Sequence, residues 1–321
     1  MKISGFWIGV LIVLALGYAF TFFVNNEFYF FAVYVVLQGL IMAVAWNVLG
    51  GFTGYVNFGS AGFFAVGVYT SIALNKAFAL PLPLIIVASA FVCGLIGLAT
   101  GYLTLRLKGV YFAIATLAMA IVFETVANNW EYVGGAAGTY VLQPENSFFF
   151  DTYVEFLFMV MVVLALFATA VSRYLSVSKI GQGLAAIRDD ETAAECMGVP
   201  TLRLKLISAS IMGGLMGIAG APFPFFISFV DPLSAFSLLI AVNAIAMPMI
   251  GGTAYWYGPV IGAILLGTIQ EITTVTISSE LNLLVVGSLL VGFITLAPQG
   301  IAGLIHDLRN GRQKTKEKSH G

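Results

Sequence analysis

The sequence is a succession of long apolar runs separated by short polar turns. The runs cover approximately residues 6–24, 28–49, 50–74, 84–105, 110–128, 153–171, 206–229, 234–250, 259–277 and 281–305. A helix needs about 20 apolar residues to cross the hydrocarbon core of a bilayer, and most of the runs have that length. Backbone polar groups inside a bilayer must be bonded within their own segment, which favours helices. The pattern predicts an all-α polytopic integral membrane protein with about ten transmembrane helices.

Composition excludes a soluble core and several classes of site. Of 321 residues, 60% are hydrophobic and 9% are charged, whereas soluble domains carry roughly a quarter of charged residues. Cys93 lies in an apolar run and Cys196 in a polar one, so they indicate neither a disulfide nor a metal framework. The nucleotide-binding patterns GxxxxGKS and GxxxxGKT are absent. We therefore expect no enzymatic activity, no metal and no cofactor bound by this chain.

The basic residues determine the predicted orientation. Ten spans with a cytoplasmic N-terminus place the following basic groups in the cytoplasm: Arg106, Lys108, the segment 172–205 and the tail 309–318. The loop 129–152, which carries acidic residues but no Lys or Arg, then lies outside. We expect both termini in the cytoplasm, a single transmembrane domain over residues 1–308, and a basic cytoplasmic tail over residues 309–321.

Residues 172–205 form a polar segment in the middle of the chain. The pattern of residues 183–197 favours one short helix, which Gly198 and Pro200 end. A structured cytoplasmic helix of this kind offers a surface to a soluble partner. An ordinary solvated loop is the alternative interpretation of the same residues.

Four stretches carry a resemblance to a known family. They are GGFTGYVNFGSAGFFAVGVYT (residues 50–70), RLKGVYFAIATLAMAIVFETVANNWEYVGGAAG (106–138), GQGLAAIRDDETAAECMGVP (181–200) and MIGGTAYWYGPVIGAILL (249–266). In this order the stretches resemble the permease subunits of branched-chain amino acid ABC transporters, and the M-type subunit more than the H-type. The resemblance covers most of the chain, and no single stretch decides it.

The resemblance implies a role for the polar segment. Permeases of ABC importers contact their ATPases through a cytoplasmic helix with the pattern EAAxxxG, and residues 192–198 fit it except that Thr192 replaces the glutamate. The implied coupling residues are Arg188, Asp189, Asp190, Glu191, Thr192, Ala193, Ala194, Glu195 and Gly198. The four charged residues from 188 to 191 would form a rim that steers docking. Simple helix propensity is the other explanation for the alanines.

The resemblance also implies candidates for the substrate path. They are Thr53, Gly54, Asn57, Gly59, Ser60 and Glu124. Tyr55, Asn57 and Ser60 replace a glutamine, a serine and a histidine of the family pattern, so substrate contacts there can differ. Asn57 and Ser60 either offer hydrogen bonds to a polar substrate or satisfy backbone groups freed at a glycine break. For Glu124 we favour an interface carboxylate over a substrate contact.

The implied function is a permease subunit of an ABC importer for branched-chain or other aliphatic amino acids. Its implied partners are a sibling permease in a heterodimer, two ATPases that hold ATP and Mg²⁺, and an extracytoplasmic substrate-binding protein. Its implied place is the bacterial cytoplasmic (inner) membrane, and nothing indicates nucleic acid. A urea or short-amide permease is one alternative. An ion-coupled carrier is another, although Glu124 and Glu271 both lie nearer a membrane edge than its mid-membrane ionisable pairs require.

Overall fold

The structure is a computed structural model, which describes residues 3–24, 26–144, 150–276, 279–296 and 299–304. The helices of its first half are α1 (Ile3–Phe23), α2 (Glu27–Thr53), α3 (Ser60–Phe78), α4 (Leu82–Thr104), α5 (Val110–Asn128) and α6 (Tyr153–Val177). The remaining helices are α7 (Lys179–Asp189), α8 (Glu191–Cys196), α9 (Thr201–Gly220), α10 (Phe223–Ile227), α11 (Pro232–Ala235), α12 (Leu238–Gly251), α13 (Gly258–Thr276) and α14 (Ser279–Leu296).

The all-α membrane class is confirmed. In the described part of the chain, eight helical segments are long and apolar enough to cross a membrane, and they correspond to α1, α2, α4, α5, α6, α9, α12 and α13. Helices α3 and α14 also overlap apolar runs that the sequence assigns to spans. The chain is therefore a multi-pass membrane protein, and the number of about ten spans stays a prediction.

Helix α2 is the centre of the bundle. Every residue from Gln38 to Thr53 is buried, because this half of the helix is surrounded by α6, α9, α12 and α13. A helix that is apolar on all sides is typical of such a position. Helix α9 packs against α2, α3 and α4, whereas α1 and α5 keep most of their surface outside the bundle.

Glycines bring α4 and α9 into backbone contact. A Cβ atom at Gly97 would lie 2.5 Å from the carbonyl oxygen of Ala209, and one at Gly213 would lie 2.5 Å from that of Cys93. Small residues permit this approach in membrane helices, where dispersion contacts replace the hydrophobic driving force. The two helices are therefore closely packed along their length, and they position the base of α9 against the end of α4.

A two-stranded sheet joins two loops at the end of the bundle opposite α7 and α8. Strand β1 (Thr139–Tyr140) pairs antiparallel with β2 (Phe229–Val230), and the N–H of Val141 donates to the carbonyl oxygen of Ser228 at 2.8 Å. The predicted loop 129–152 thus holds more structure than its sequence suggests. Within its described residues it also contains 3₁₀ turns at Glu131–Val133 and Gly135–Ala137.

The predicted boundary near Leu49, with a new span over residues 50–74, is wrong. Helix α2 continues to Thr53, and the chain turns at Gly54 with φ 79° before α3 begins at Ser60. The reason is that the glycines inside α2 serve close packing: a Cβ atom at Gly51 would lie 2.8 Å from the carbonyl oxygen of Thr253. The left-handed conformation that ends the helix belongs to Gly54 instead.

The prediction of one helix over residues 183–197 is also wrong. Helix α6 extends to Val177 and α9 begins at Thr201, so only the residues between them leave the long helices. These residues form two helices, α7 and α8, because Asp190 adopts an extended conformation (φ −160°, ψ 108°) and caps the second one. The apolar runs at 206–229 and 234–250 are likewise divided, into α9 with α10 and into α11 with α12.

Candidate functional site

Helix α7 is amphipathic and lies against the bundle. The hydroxyl of Ser178 caps it by accepting a hydrogen bond from the N–H of Gly181 at 3.1 Å. Its buried residues, Gly181, Leu184 and Ile187, recur at helical spacing and face α2, α6 and α9. Helix α7 therefore carries the following helix α8 at a fixed position on the bundle.

Helix α8 is short and capped at both ends. The Asp190 Oδ1 atom accepts from the N–H groups of Thr192 at 2.9 Å and Ala193 at 3.0 Å. Gly198 follows the helix with φ 83°, a left-handed conformation that a residue with a side chain adopts only with strain. A helix of six residues is not stable by itself, so these caps and its tertiary contacts hold it in place.

The two faces of α8 differ. Toward the protein, Ala194 is buried, and the Glu195 Oε1 atom accepts a hydrogen bond from the hydroxyl of Thr201 at 2.6 Å. The outward face consists of Thr192, Ala193, Cys196 and Met197, all exposed. The arrangement presents a surface of small side chains and one methionine, which can pack against another protein.

Glu191, at the first position of α8, points inward. Its Oε1 atom lies 2.7 Å from Nζ of Lys205, and its Oε2 atom accepts from the hydroxyl of Tyr55 at 2.7 Å. Lys108 approaches the same Oε2 atom at 3.5 Å from the solvent side. The predicted charged rim therefore divides: Asp189 and Arg188 lie at the surface, where they form a pair at 3.4 Å, whereas Glu191 belongs to the interior.

Lys205 is a buried cation with a full set of acceptors. Its side chain is 5% exposed. Besides Glu191 it donates to the hydroxyl of Tyr55 and to the carbonyl oxygen of Leu105, both at 3.1 Å. An ammonium group has three N–H donors, so each of them has a partner here. Glu191, Lys205 and Tyr55 are called the polar cluster below.

The polar cluster shifts the pKa values of its acidic members in opposite directions. Burial alone would raise the pKa of Glu191, but the hydrogen bonds from Lys205 and Tyr55 and the nearby charges of Lys205 and Lys108 lower it below its ordinary value. Burial, the hydrogen bond to Glu191 and its negative charge together raise the pKa of Tyr55. At neutral pH the cluster therefore holds a carboxylate and a neutral phenol.

The predicted path residues gather at the turn between α2 and α3. The side-chain Oδ1 atom of Asn57 accepts a hydrogen bond from the N–H of Gly59 at 2.7 Å. The backbone carbonyl oxygen of Asn57 accepts one from the indole N–H of Trp46 at 2.8 Å. The Thr53 hydroxyl donates to the carbonyl oxygen of Leu49 at 2.5 Å. These contacts agree with the interpretation that polar side chains here satisfy backbone groups at the helix break. The Ser60 hydroxyl is buried without a hydrogen-bond partner among the described residues.

Helix α5 packs against this turn. The Thr116 hydroxyl accepts from the N–H of Phe58 at 3.2 Å, and a Cβ atom at Gly59 would lie 2.5 Å from the carbonyl oxygen of Thr116. A cavity of about 20 Å³, enough for one water molecule, is lined by Asn57, Gly59 and Thr116 among others. Glu124 is half-buried on α5, about 12 Å farther along the helix than Thr116. The structure therefore brings Thr53, Gly54, Asn57, Gly59 and Ser60 together and leaves Glu124 apart.

The sequence reasoning missed the role of Lys205 and Tyr55. From the sequence, Lys205 was used only to assign a side of the membrane, and Tyr55 was noted only because it replaces a glutamine of the family pattern. One local signal was present: Lys205 stands between Leu204 and Leu206 at the edge of the apolar run 206–229, where a charge indicates an internal partner. In the described ranges, no group of three or more His, Cys, Asp or Glu residues could hold a metal ion.

The fold and this site define a class of protein. The chain is an all-helical, multi-pass membrane protein with a capped pair of short helices at one end of its bundle. It belongs to the family described as branched-chain amino acid transport system / permease component, whose model matches residues 28–294. The resemblance inferred from the sequence is thereby confirmed.

Individual relatives agree with the family. The chain is 28% identical over 307 residues to the high-affinity branched-chain amino acid transport system permease protein LivM of Escherichia coli (strain K12), across 87% of this chain and 71% of that protein. It is 27% identical over 277 residues to a probable branched-chain amino acid transport permease protein LivH of Methanocaldococcus jannaschii, across 78% of this chain and 84% of that protein. Against LivH of E. coli (strain K12) the identity is 22% over 282 residues. No solved structure matches the chain.

Proposed function

We propose that this chain is the permease subunit of an ABC importer for branched-chain or other aliphatic amino acids. The observation that carries the proposal is the family match over residues 28–294, with relatives named as branched-chain amino acid permeases. In this function the chain performs no covalent chemistry. It moves substrate by alternating access, and ATP hydrolysis on partner subunits drives the change.

The placement of charges supports a topology for this function. Lys108 after α4 and Lys205 on α9 meet Glu191 at one end of the bundle, so the basic residues that follow α4 and those of the segment 172–205 share one side. Positive residues favour the cytoplasmic side. We assign α7 and α8 to the cytoplasm and the paired strands β1 and β2 to the outer side. The proposal includes ten spans, both termini in the cytoplasm, and the bacterial inner membrane.

The partners follow from the same assignment. Helix α8 offers its outward face, with Thr192, Ala193, Cys196 and Met197, to an ATPase that holds ATP and Mg²⁺. A sibling permease completes the path in a heterodimer. On the outer side, the loop that β1 and β2 tie together offers exposed Trp130 and Tyr140 to a substrate-binding protein. Tyrosine and tryptophan are enriched in such contacts.

The residues near the turn between α2 and α3 suit an uncharged or zwitterionic cargo of small size. Thr53, Asn57 and Ser60 are polar without net charge, and glycines and aromatic residues surround them. A strongly charged ligand would lack a counter-ion there, which is costly at low dielectric. Selection among small ligands belongs mostly to the delivery protein, because a transport path must bind weakly.

Uptake in cells tests the proposal. Labelled leucine, urea and ribose are supplied to cells that express the cognate operon with or without this chain. We expect deletion of the chain to abolish leucine uptake and to leave ribose uptake unchanged. Loss of urea uptake with intact leucine uptake would assign the chain to the short amides instead. Leucine uptake that survives deletion, together with loss of ribose uptake, would contradict the proposal.

A further inference from the structure

The polar cluster is an unusual way to hold a short helix. Moving an ion pair into a low-dielectric interior costs free energy that its Coulomb attraction only partly offsets, and well-packed apolar residues are often equally stable. Lys205 is nevertheless buried, and its three donors meet Glu191, Tyr55 and the carbonyl oxygen of Leu105. Such a cluster is better suited to fixing one relative position of its elements than to adding stability.

The polar cluster and the carbonyl group of Leu105 that Lys205 also contacts come from four different parts of the fold. Glu191 begins α8, Lys205 lies one turn inside α9, Tyr55 lies in the turn between α2 and α3, and Leu105 caps α4. The hydroxyl of Tyr55 donates to the second oxygen of Glu191, which closes a ring of hydrogen bonds. A displacement of Glu191 therefore acts on the ends of several long helices at once.

Helix α8 has few other attachments to the bundle. Among its six residues Ala194 is the buried one, so apolar packing fixes it weakly. The Glu195 contact with Thr201 reaches only the first residue of α9, next to the linker. Glu191 provides the contact that enters the interior.

From the cluster, contacts continue to the predicted path. The ring of Tyr55 meets that of Phe112 edge to face at 5.1 Å, near the start of α5. Two residues after Tyr55 stands Asn57, which bonds Gly59 and lines the small cavity with Thr116. Movement of Tyr55 would therefore change the position of the α2–α3 turn against α5.

We propose that half-buried Glu191 and buried Lys205 and Tyr55 form a polar link that transmits displacement of α8 to the α2–α3 turn and to α4, α5 and α9. The proposal rests on the proposed function, in which an ATPase moves α8. Glu191 and Lys205 are then positioning residues for energy coupling: they neither contact substrate nor form the ATPase surface. Without the link, α8 moves under the ATPase while the path does not respond.

The test uses the complete transporter, with all its partner subunits, reconstituted in proteoliposomes. ATP hydrolysis and leucine uptake are measured in the same vesicles for wild type, Glu191→Gln, Lys205→Met and the double variant. We expect hydrolysis to continue in the variants, while leucine transported per ATP hydrolysed falls about tenfold, within the range typical of coupling between sites. The matched control is Arg203→Met, which removes an exposed cation two residues before Lys205 on the same helix. Its uptake per ATP should equal that of wild type.

The double variant separates coupling from folding. In Glu191→Gln the buried charge of Lys205 loses its partner, and in Lys205→Met the carboxylate of Glu191 keeps only Lys108. The double variant removes both charges, so its thermal stability should return toward wild type. Its uptake per ATP should stay low, because the link is still absent. If uptake per ATP recovers in the double variant together with thermal stability, the polar cluster has a purely structural role and the proposal is overturned.

Two further outcomes would also overturn it: unchanged uptake per ATP in the single variants, or loss of ATPase association in them, which would assign Glu191 to docking. The proposed function has a separate test in the same experiment. If wild-type vesicles fail to transport leucine with ATP, that function fails, whatever the variants do.

Discussion

Substitution of Gly213 by alanine should destabilise the bundle, because α4 and α9 touch through their backbones at this point. The added Cβ atom would lie 2.5 Å from the carbonyl oxygen of Cys93. A comfortable contact requires about 3.5 Å, so the helices would have to separate by about 1 Å. Overpacking of this kind costs about 1–3 kcal/mol. The higher helix propensity of alanine offsets about 1 kcal/mol of that cost.

The net expectation is a loss of up to about 2 kcal/mol, the difference between these two effects. The assay is the thermal exposure of Cys93, which is fully buried between the helices. In a Cys196→Ser background, Cys93 is the remaining thiol of the chain. Its labelling in detergent should begin at a lower temperature in the Gly213→Ala variant than in its parent.

The matched control for this experiment is Gly9→Ala on α1. A Cβ atom at Gly9 meets nothing within 4 Å, so this variant should be as stable as its parent or slightly more stable. If Gly213→Ala exposes Cys93 at the same temperature as Gly9→Ala does, the backbone contact between α4 and α9 does not limit stability and the packing argument is incorrect.

Three other predictions concern α8 and its surroundings. A membrane-impermeant thiol reagent should label Cys196 in inside-out vesicles and less so with the ATPase bound, whereas labelling from outside would contradict the topology. Asp190→Ala should weaken α8 by about 0.5–2 kcal/mol and speed Cys196 labelling, while Asp190→Asn, which keeps a capping oxygen, should not. The pKa of Glu191 is lower in the folded protein than in the unfolded chain, where it is about 4.3. The ionised carboxylate therefore stabilises the folded protein fully above the unfolded pKa, and this stabilisation is lost as the pH falls through the folded pKa. The difference in thermal stability between wild type and Glu191→Gln should therefore shrink on acidification, and a constant difference would contradict this.

The transmembrane character of the chain could be predicted because hydropathy is a local property. The apolar run at 84–105 corresponds closely to α4 (Leu82–Thr104), and the run at 110–128 to α5 (Val110–Asn128). Helix ends inside apolar sequence were harder to predict. A glycine indicates either close packing or a turn, and only the fold distinguishes Gly51, which packs, from Gly54, which turns.

The polar cluster could not be predicted, because its partners are distant in sequence. Tyr55 and Glu191 are separated by 136 residues, and no pattern of spacing connects them. The acidic cluster at residues 189–191 looks uniformly solvated in the sequence. In the structure, Asp189 is exposed, Asp190 caps a helix and Glu191 is half-buried against Lys205, because each successive side chain of a helix start points in a different direction.

In the proposed function, ATP hydrolysis by partner subunits drives an aliphatic amino acid through this chain. The most direct measurement is leucine accumulation in proteoliposomes that contain the complete transporter, with the binding protein outside and ATP inside. We expect accumulation that requires ATP and persists when an uncoupler removes ion gradients. Accumulation that needs an ion gradient and proceeds without ATP would contradict the proposed function and would favour a secondary carrier.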